Sequence, residues 1–436
     1  MPTERLFACS VAKVMLWMTT TVGFAHDQVP GAKQQQPIAI VGATIHAVDQ
    51  PVIAGGTLLF EDGIISAVGK EVDLPSGTRV IQAEGQHLYP GLIEAMSDIG
   101  LREITAVDAT VDSQERGNVN PNVQALAAIN PDSELIPVAR AGGVLIAMAA
   151  PQGGWLRGQT SVIQLDGWTV PEMELRSPAG CIVSWPAMFP AGKNAAERAE
   201  RHEQKIRELD EWLARARHYA AARLAAPQQT ATDLRLDSLV PVIEGKLPWI
   251  VEANLQRQIE SAIVFAQRQG LRLIIYGGYD AEQCAPLLRK YDVPVIIGAI
   301  YRLPLRRHDA YDAPYTLPAR LRDVGVRFAI AGEGAGYPGG ASNARNLPYH
   351  AATAVPFGLT REEALRAISL SAAEILNVDS LVGSLTLGKH ATLFLATGDI
   401  LETESNVTQA FIQGREVDLR SRHTQLYRKY LQKPRQ

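Results

Sequence analysis

The spacing of apolar residues changes along the chain, and each change marks a boundary. Over residues 38–48 β-branched side chains dominate. Residues 57–60 and 64–68 read as two strands joined by Glu61-Asp62-Gly63, a turn whose Asp-Gly pair tolerates positive φ. Residues 78–82 and 87–89 predict further short strands, so 38–89 makes a small β block. Past Pro90-Gly91 the pattern becomes short, continuous apolar runs at 144–148, 182–183, 249–252, 273–276, 295–297 and 326–330. Apolar residues at helical spacing lie between several of them, at 197–224, 254–269 and 281–291. Buried strands alternating with helices predict parallel βα units across 90–379, and their number points to a barrel rather than an open sheet. Residues 360–377 predict one helix, opened by a capping box of Thr360 and Glu363. β spacing returns over 380–419, and 420–436 is a basic, polar tail. With β blocks on both sides of an α/β core, the economical arrangement joins the two blocks into one composite β domain.

The first residues follow a different logic. Arg5 precedes an apolar run over 14–25, with Gly23 and Ala25 as small residues at a cleavage site. Residues 1–25 therefore read as a secretory signal peptide, and 26–37 as a polar, flexible lead-in. An exported protein, periplasmic or secreted, is the expectation. Cleavage would leave Cys181 and Cys284, which read as buried thiols in preference to a bridge. A formal net charge of -4 gives no reason to expect nucleic acid as a partner. No later stretch is long and apolar enough to span a bilayer. No G-x-G-x-x-G follows a strand, which weakens a dinucleotide-binding reading.

Four segments, in order, carry a resemblance. GTLLFEDGIISAVGK (56–70), HLYPGLIEA (87–95), LTREEALRAISLSAAEILNV (359–378) and VGSLTLGKHATLFL (382–395) resemble the amidohydrolase superfamily, a family of metal-dependent hydrolases. The branch they are most similar to is the imidazolonepropionase-like and prolidase-like one, and the likeness runs from 38 to 418. It implies an α/β fold with a (β/α)8 barrel of the TIM type, plus a composite β-sandwich formed by both chain ends. It also implies hydrolysis of non-peptide C–N bonds, amides above all.

The resemblance implies histidine ligands where this chain has none. In active relatives the phrase after Pro-Gly leads to His-x-His, two imidazoles placed on one side by strand alternation. Met96 and Asp98 stand at those positions. Asn254 and Gly277 stand where later histidines would follow two strands, and Glu333 where the family's general-base aspartate would end a third. A thioether is a poor ligand in a nitrogen–oxygen site. A hydrolytic zinc takes three protein ligands rich in histidine, and it is the metal that ionises the attacking water. Of the nine histidines only His308 and His350 lie in stretches that could be barrel loops, and neither has a partner at ligand spacing. No cofactor is therefore expected. An active enzyme would need one divalent metal: Zn, Mn or Mg.

The remaining candidates are pocket residues. Asp98, Glu252 and Glu333 could converge at the C-terminal barrel face, as a hard-cation site or an acid–base pair, or stand as ordinary polar strand ends. Glu94 would support structure near the first barrel strand. The Gly-rich segment 152–160 reads as a pocket loop presenting Arg157 and Gln159, or as a turn that simply needs glycine. Tyr276 and Arg302 are further pocket candidates. Arg345, in the loop 334–345, is a candidate for anion binding, with a solvated arginine as the alternative. The resulting expectation is an exported homologue that has lost its metal site, a pseudoenzyme. It would bind a small molecule or serve in assembly, as a homo-oligomer or beside an active relative. The alternative is a divergent hydrolase with a carboxylate-rich or metal-free site.

Overall fold

The computed structural model describes residues 29–187, 194–334 and 340–433. The signal-peptide segment lies outside the described residues.

Two sheets organise the chain. The first has eight strands drawn from both chain ends: β1 (Ile38–Ile45), β2 (Ile53–Glu61), β3 (Ile64–Gly69), β4 (Arg79–Gln82), β5 (His87–Pro90), and then β14 (Leu393–Ala396), β15 (Val407–Ile412) and β16 (Arg415–Val417). β5 is the junction, since it pairs with β1 on one side and with β14 on the other. The β2–β3 turn uses Asp62 and Gly63, both at positive φ, as the Asp-Gly pair predicts. Ile40, Phe60 and Leu88 from one end share a core with Leu393, Leu395 and Phe411 from the other.

The second sheet runs in sequence order: β6 (Leu92–Ser97), β7 (Val144–Ala149), β8 (Leu156–Gln164), β9 (Glu174–Ser184), β10 (Trp249–Ala253), β11 (Leu273–Gly277), β12 (Val295–Ile297) and β13 (Phe328–Ile330). It curls into a nearly closed barrel. Strand alternation divides its side chains into two cores. Ile182, Ile250, Ile274 and Ile296 fill the lumen. Cys181, Trp249, Val251, Leu273 and Ile275 pack outward against the helices. Both described cysteines are buried and unbridged.

Two details differ from the sequence expectation. The barrel is not a strict repeat of parallel βα units, because β8 runs antiparallel to both β7 and β9. Residues 156–160, read as part of a loop, are the start of that strand. Gly158 disguises it. Its φ is +130°, and a Cβ there would sit 2.5 Å from the Val123 carbonyl oxygen, so glycine is required for the segment 118–124 to lie alongside. The single helix expected over 360–377 is two, Arg361–Ala367 and Leu370–Leu376. The capping box forms as predicted, but the Ile368 carbonyl accepts the Ile93 N–H (2.8 Å) and the Ser369 hydroxyl donates to the Leu365 carbonyl (2.6 Å). The barrel strand thus takes a carbonyl that an unbroken helix would use for itself. The second helix sends Ala372, Ala373, Ile375 and Leu376 into the lumen core, stopping the barrel at its N-terminal end. No described helix is long and apolar enough to cross a membrane.

Candidate ligand site at the barrel mouth

With the lower end plugged, the lumen opens where the strands end in polar residues. Along β10 the inward parity that begins at Ile250 continues to Glu252 and Asn254; along β11 it runs from Ile274 to Tyr276. The same rule that fills the barrel with isoleucine therefore delivers carboxylate, amide and phenol to its mouth.

Glu94 lies at the seam. β6 and β13 are the two ends of the sheet, and Glu94 spans them: both carboxyl oxygens accept the Gly332 N–H at 3.0 Å, and one also accepts the Met96 N–H at 3.3 Å. Burial pushes this carboxyl up to about 8. The two backbone donors oppose that shift, and nearby Glu333 adds to it. The group therefore holds its proton at neutral pH.

Tyr276 stands beside it. Its phenol is pushed far above the ordinary tyrosine range, first by burial and then by Glu252 and Glu94; Arg157 and Arg302 act in the opposite sense. Four charged or ionisable side chains from different barrel segments thus act on one hydroxyl. The hydroxyl oxygen lies 1.9 Å from where a Cβ of residue 334 would stand, and Gly334 has φ +82°, so only glycine fits there.

The other carboxylates have partners. Glu252 accepts from Arg157 at 2.5 Å and from the Ser184 hydroxyl at 3.1 Å, and Arg157 also donates to Ser184. Three adjacent strands build this cluster. Asp98, fully buried, pairs with Arg102 at 3.2 Å. Glu333 accepts from the Asn343 amide at 2.8 Å. Arg302 is different: it stacks on the Tyr279 ring, 4.7 Å from the ring centroid, and its buried Nε and Nη2 have no hydrogen-bond partner among the described residues.

Two sequence candidates lie elsewhere. Gln159 donates to the Ser238 carbonyl at 3.3 Å, beneath the helix Leu234–Ile243. Arg345 is exposed; its backbone packs against Gly142, just before β7, and its guanidinium contacts His423 at 3.0 Å, away from the mouth carboxylates. Conversely, Ser184 and Asn343 are members of the rim that sequence reasoning did not single out. Ser184 is the last residue of β9 and could have been found by inward parity with Ile182; Asn343 carries no such signal.

The ligand positions do not fit a histidine-held metal. Met96 is packed in the lumen core. Asn254 lies against Gly277, its Oδ1 2.7 Å from where a Cβ of residue 277 would be, and that oxygen has no hydrogen-bond partner among the described residues. Among the described residues no group of three or more His, Cys, Asp or Glu is arranged to hold a metal ion. His350 is fully buried, its ring tilted against Tyr301 with centroids 4.4 Å apart, and burial pulls it down to about 4. His308 lies at the surface beside Asp309.

Solved structures show what this architecture is similar to. An amidohydrolase from Thermotoga maritima MSB8 is 26% identical, with a TM-score of 0.77, over 88% of this chain and 100% of that one. Phenylurea hydrolase B is 14% identical, with a TM-score of 0.54, over 88% of this chain and 97% of that one. A prolidase complexed with N-methylphosphonate-L-proline is 13% identical, with a TM-score of 0.53, over 88% and 100%. The last two share the fold alone. No family model matches the sequence, and no curated protein does.

Proposed function

The chain belongs to the amidohydrolase superfamily, and on that premise we propose that its barrel mouth binds a small carboxylate-bearing molecule without hydrolysing it. Hydrolase ancestry is carried by the structural neighbours. The loss of hydrolysis rests on one observation. The four positions that would hold imidazoles carry a packed thioether, an ion-paired aspartate, an amide and a glycine. Nothing in that set would bring a metal-bound water to the ionisation that amide cleavage needs near neutral pH. The ligand class follows from Arg302, whose buried Nε and Nη2 have no hydrogen-bond partner among the described residues and suit a carboxylate, with the Tyr276 hydroxyl nearby.

A second reading keeps some catalysis. Glu94 holds its proton at neutral pH in a buried setting with Glu333 close by, the environment in which an acid–base pair divides its roles. One experiment separates the two. Protein purified after growth in zinc- and manganese-supplemented medium is assayed for bound metal, then for turnover of N-acyl amino acids and dipeptides. We expect substoichiometric transition metal and no turnover, with binding of an N-acyl amino acid weakened by Arg302→Met. Stoichiometric zinc or manganese would overturn the metal-free reading. Turnover abolished by Glu94→Gln would establish the second.

We further propose that the mature chain is exported, on the strength of its N-terminal sequence. The sheet from both chain ends, with its shared core, is read as the family's composite β-sandwich.

A further inference from the structure

We propose that the helix Arg422–Leu431 docks the protein onto an anionic lipid surface. The helix begins at Ser421, which is buried and caps it through Thr424, and no residue of the helix itself is buried. Its apolar residues are nonetheless sorted to one side. Leu426, Tyr427, Tyr430 and Leu431 recur at i, i+1, i+4 and i+5, which places them within an arc of about 140°. They are 39%, 66%, 62% and 65% exposed. On an ordinary surface helix such a stripe faces the core; here it faces solvent along its whole length. Arg422, Arg428 and Lys429 occupy the rest of the circumference.

Charge selects the partner. Residues 420–436 contain six Lys or Arg (Arg420, Arg422, Arg428, Lys429, Lys433, Arg435) and no Asp or Glu. Against the chain totals of 42 basic and 46 acidic residues, the remainder has 42 − 6 = 36 basic residues and a formal charge of 36 − 46 = −10. The molecule is thus polar in the electrostatic sense, and an anionic surface draws in the tail end while repelling the body. An acidic protein or a nucleic acid would also attract the charge, and the test below separates them; the pairing of outward leucines and tyrosines with a basic flank is the pattern of an interfacial helix. At a bilayer interface acyl chains receive the leucines, the headgroup layer suits tyrosine, and the basic face meets phosphate. Ser421 is buried and His423 contacts Arg345, which hold the start of the helix to the body, while the four stripe residues remain exposed.

The test uses the full chain and two sets of vesicles, phosphatidylcholine alone and phosphatidylcholine with a third of phosphatidylglycerol. Co-sedimentation should occur only with the anionic set and weaken as salt rises. Arg428→Ser with Lys429→Ser should lower partitioning roughly thirtyfold, at about tenfold per 1.4 kcal/mol and near 1 kcal/mol per charge. Tyr430→Ser with Leu431→Ser should lower it by at least a comparable factor while leaving the thermal midpoint unchanged, since both side chains are exposed. Equal binding to neutral vesicles, or no binding, overturns the proposal. So does wild-type dimerisation that the Tyr430/Leu431 variant abolishes, which would assign the face to a second copy. Tight binding of a single-stranded oligonucleotide that is indifferent to the Tyr430/Leu431 variant would assign it to nucleic acid.

Discussion

Glu94→Gln isolates the carboxyl that spans the barrel seam. In the folded protein burial raises it from 4.5 to about 8, and the unfolded chain returns it to its ordinary value. A raised carboxyl favours the fold while both states are protonated. As pH climbs above 4.5 the unfolded chain releases a proton that the folded one keeps, so stability falls by about 1.4 kcal/mol per pH unit. The fall ends near pH 8, when the folded group also ionises, and the whole effect is about 5 kcal/mol. Glutamine keeps a carbonyl oxygen for the Gly332 N–H but cannot titrate. It carries a fixed cost of about 1–3 kcal/mol for its misplaced amide donors. Urea denaturation of both proteins at several pH values, taken as a difference, cancels every other titrating group. The variant should gain on the wild type steadily from pH 5 to pH 8 and then level off. A flat difference, or a wild type that gains on the variant as pH rises, would show Glu94 ionised in the fold and refute the reasoning.

Two further outcomes follow from the rim. Gly334→Ala forces a side chain into the left-handed region and onto the Tyr276 hydroxyl, so unfolding free energy should drop by about 2–4 kcal/mol, and Tyr276→Phe in the same chain should recover part of it; no recovery in calorimetry would show that the hydroxyl is not what the methyl meets. Arg157→Ala strands Glu252 and Ser184 and should cost about 1–3 kcal/mol, toward the lower end because Glu252 is 34% exposed on its side chain. The double variant with Glu252→Ala should cost less than the sum of the two single changes; additive losses would show that the pair is not coupled.

Much of this architecture was legible from spacing. Ile182, Ile250, Ile274 and Ile296 announce buried strands because each run is short and apolar, and the strand ends beyond them give Glu252 and Tyr276 their inward direction. Thr360 and Glu363 announce a helix start because capping is a local matter, settled within four residues. What the chain concealed were long-range competitions. The break at Ile368 exists because Ile93, far away in sequence, takes its carbonyl. The strand at 156–164 was hidden because Gly158 is chosen for the neighbour that approaches it, and in sequence that choice looks like a turn. Arg345 reads as a pocket residue from its place after β13, but its backbone packs against Gly142 and its side chain turns outward to His423.

The antiparallel β8 has a consequence for how the molecule is assembled. A parallel strand can join its neighbour only after a crossover, whereas β7, β8 and β9 follow one another as a meander. This arc closes short loops, so it can zip early at small entropic cost, while the span from β9 to β10 must wait for the 31-residue helix Ala195–Ala225 to swing across. Pulse-labelled amides of β7–β9 should therefore be protected before those of β10–β13, making the meander the template onto which the rest of the barrel is wound.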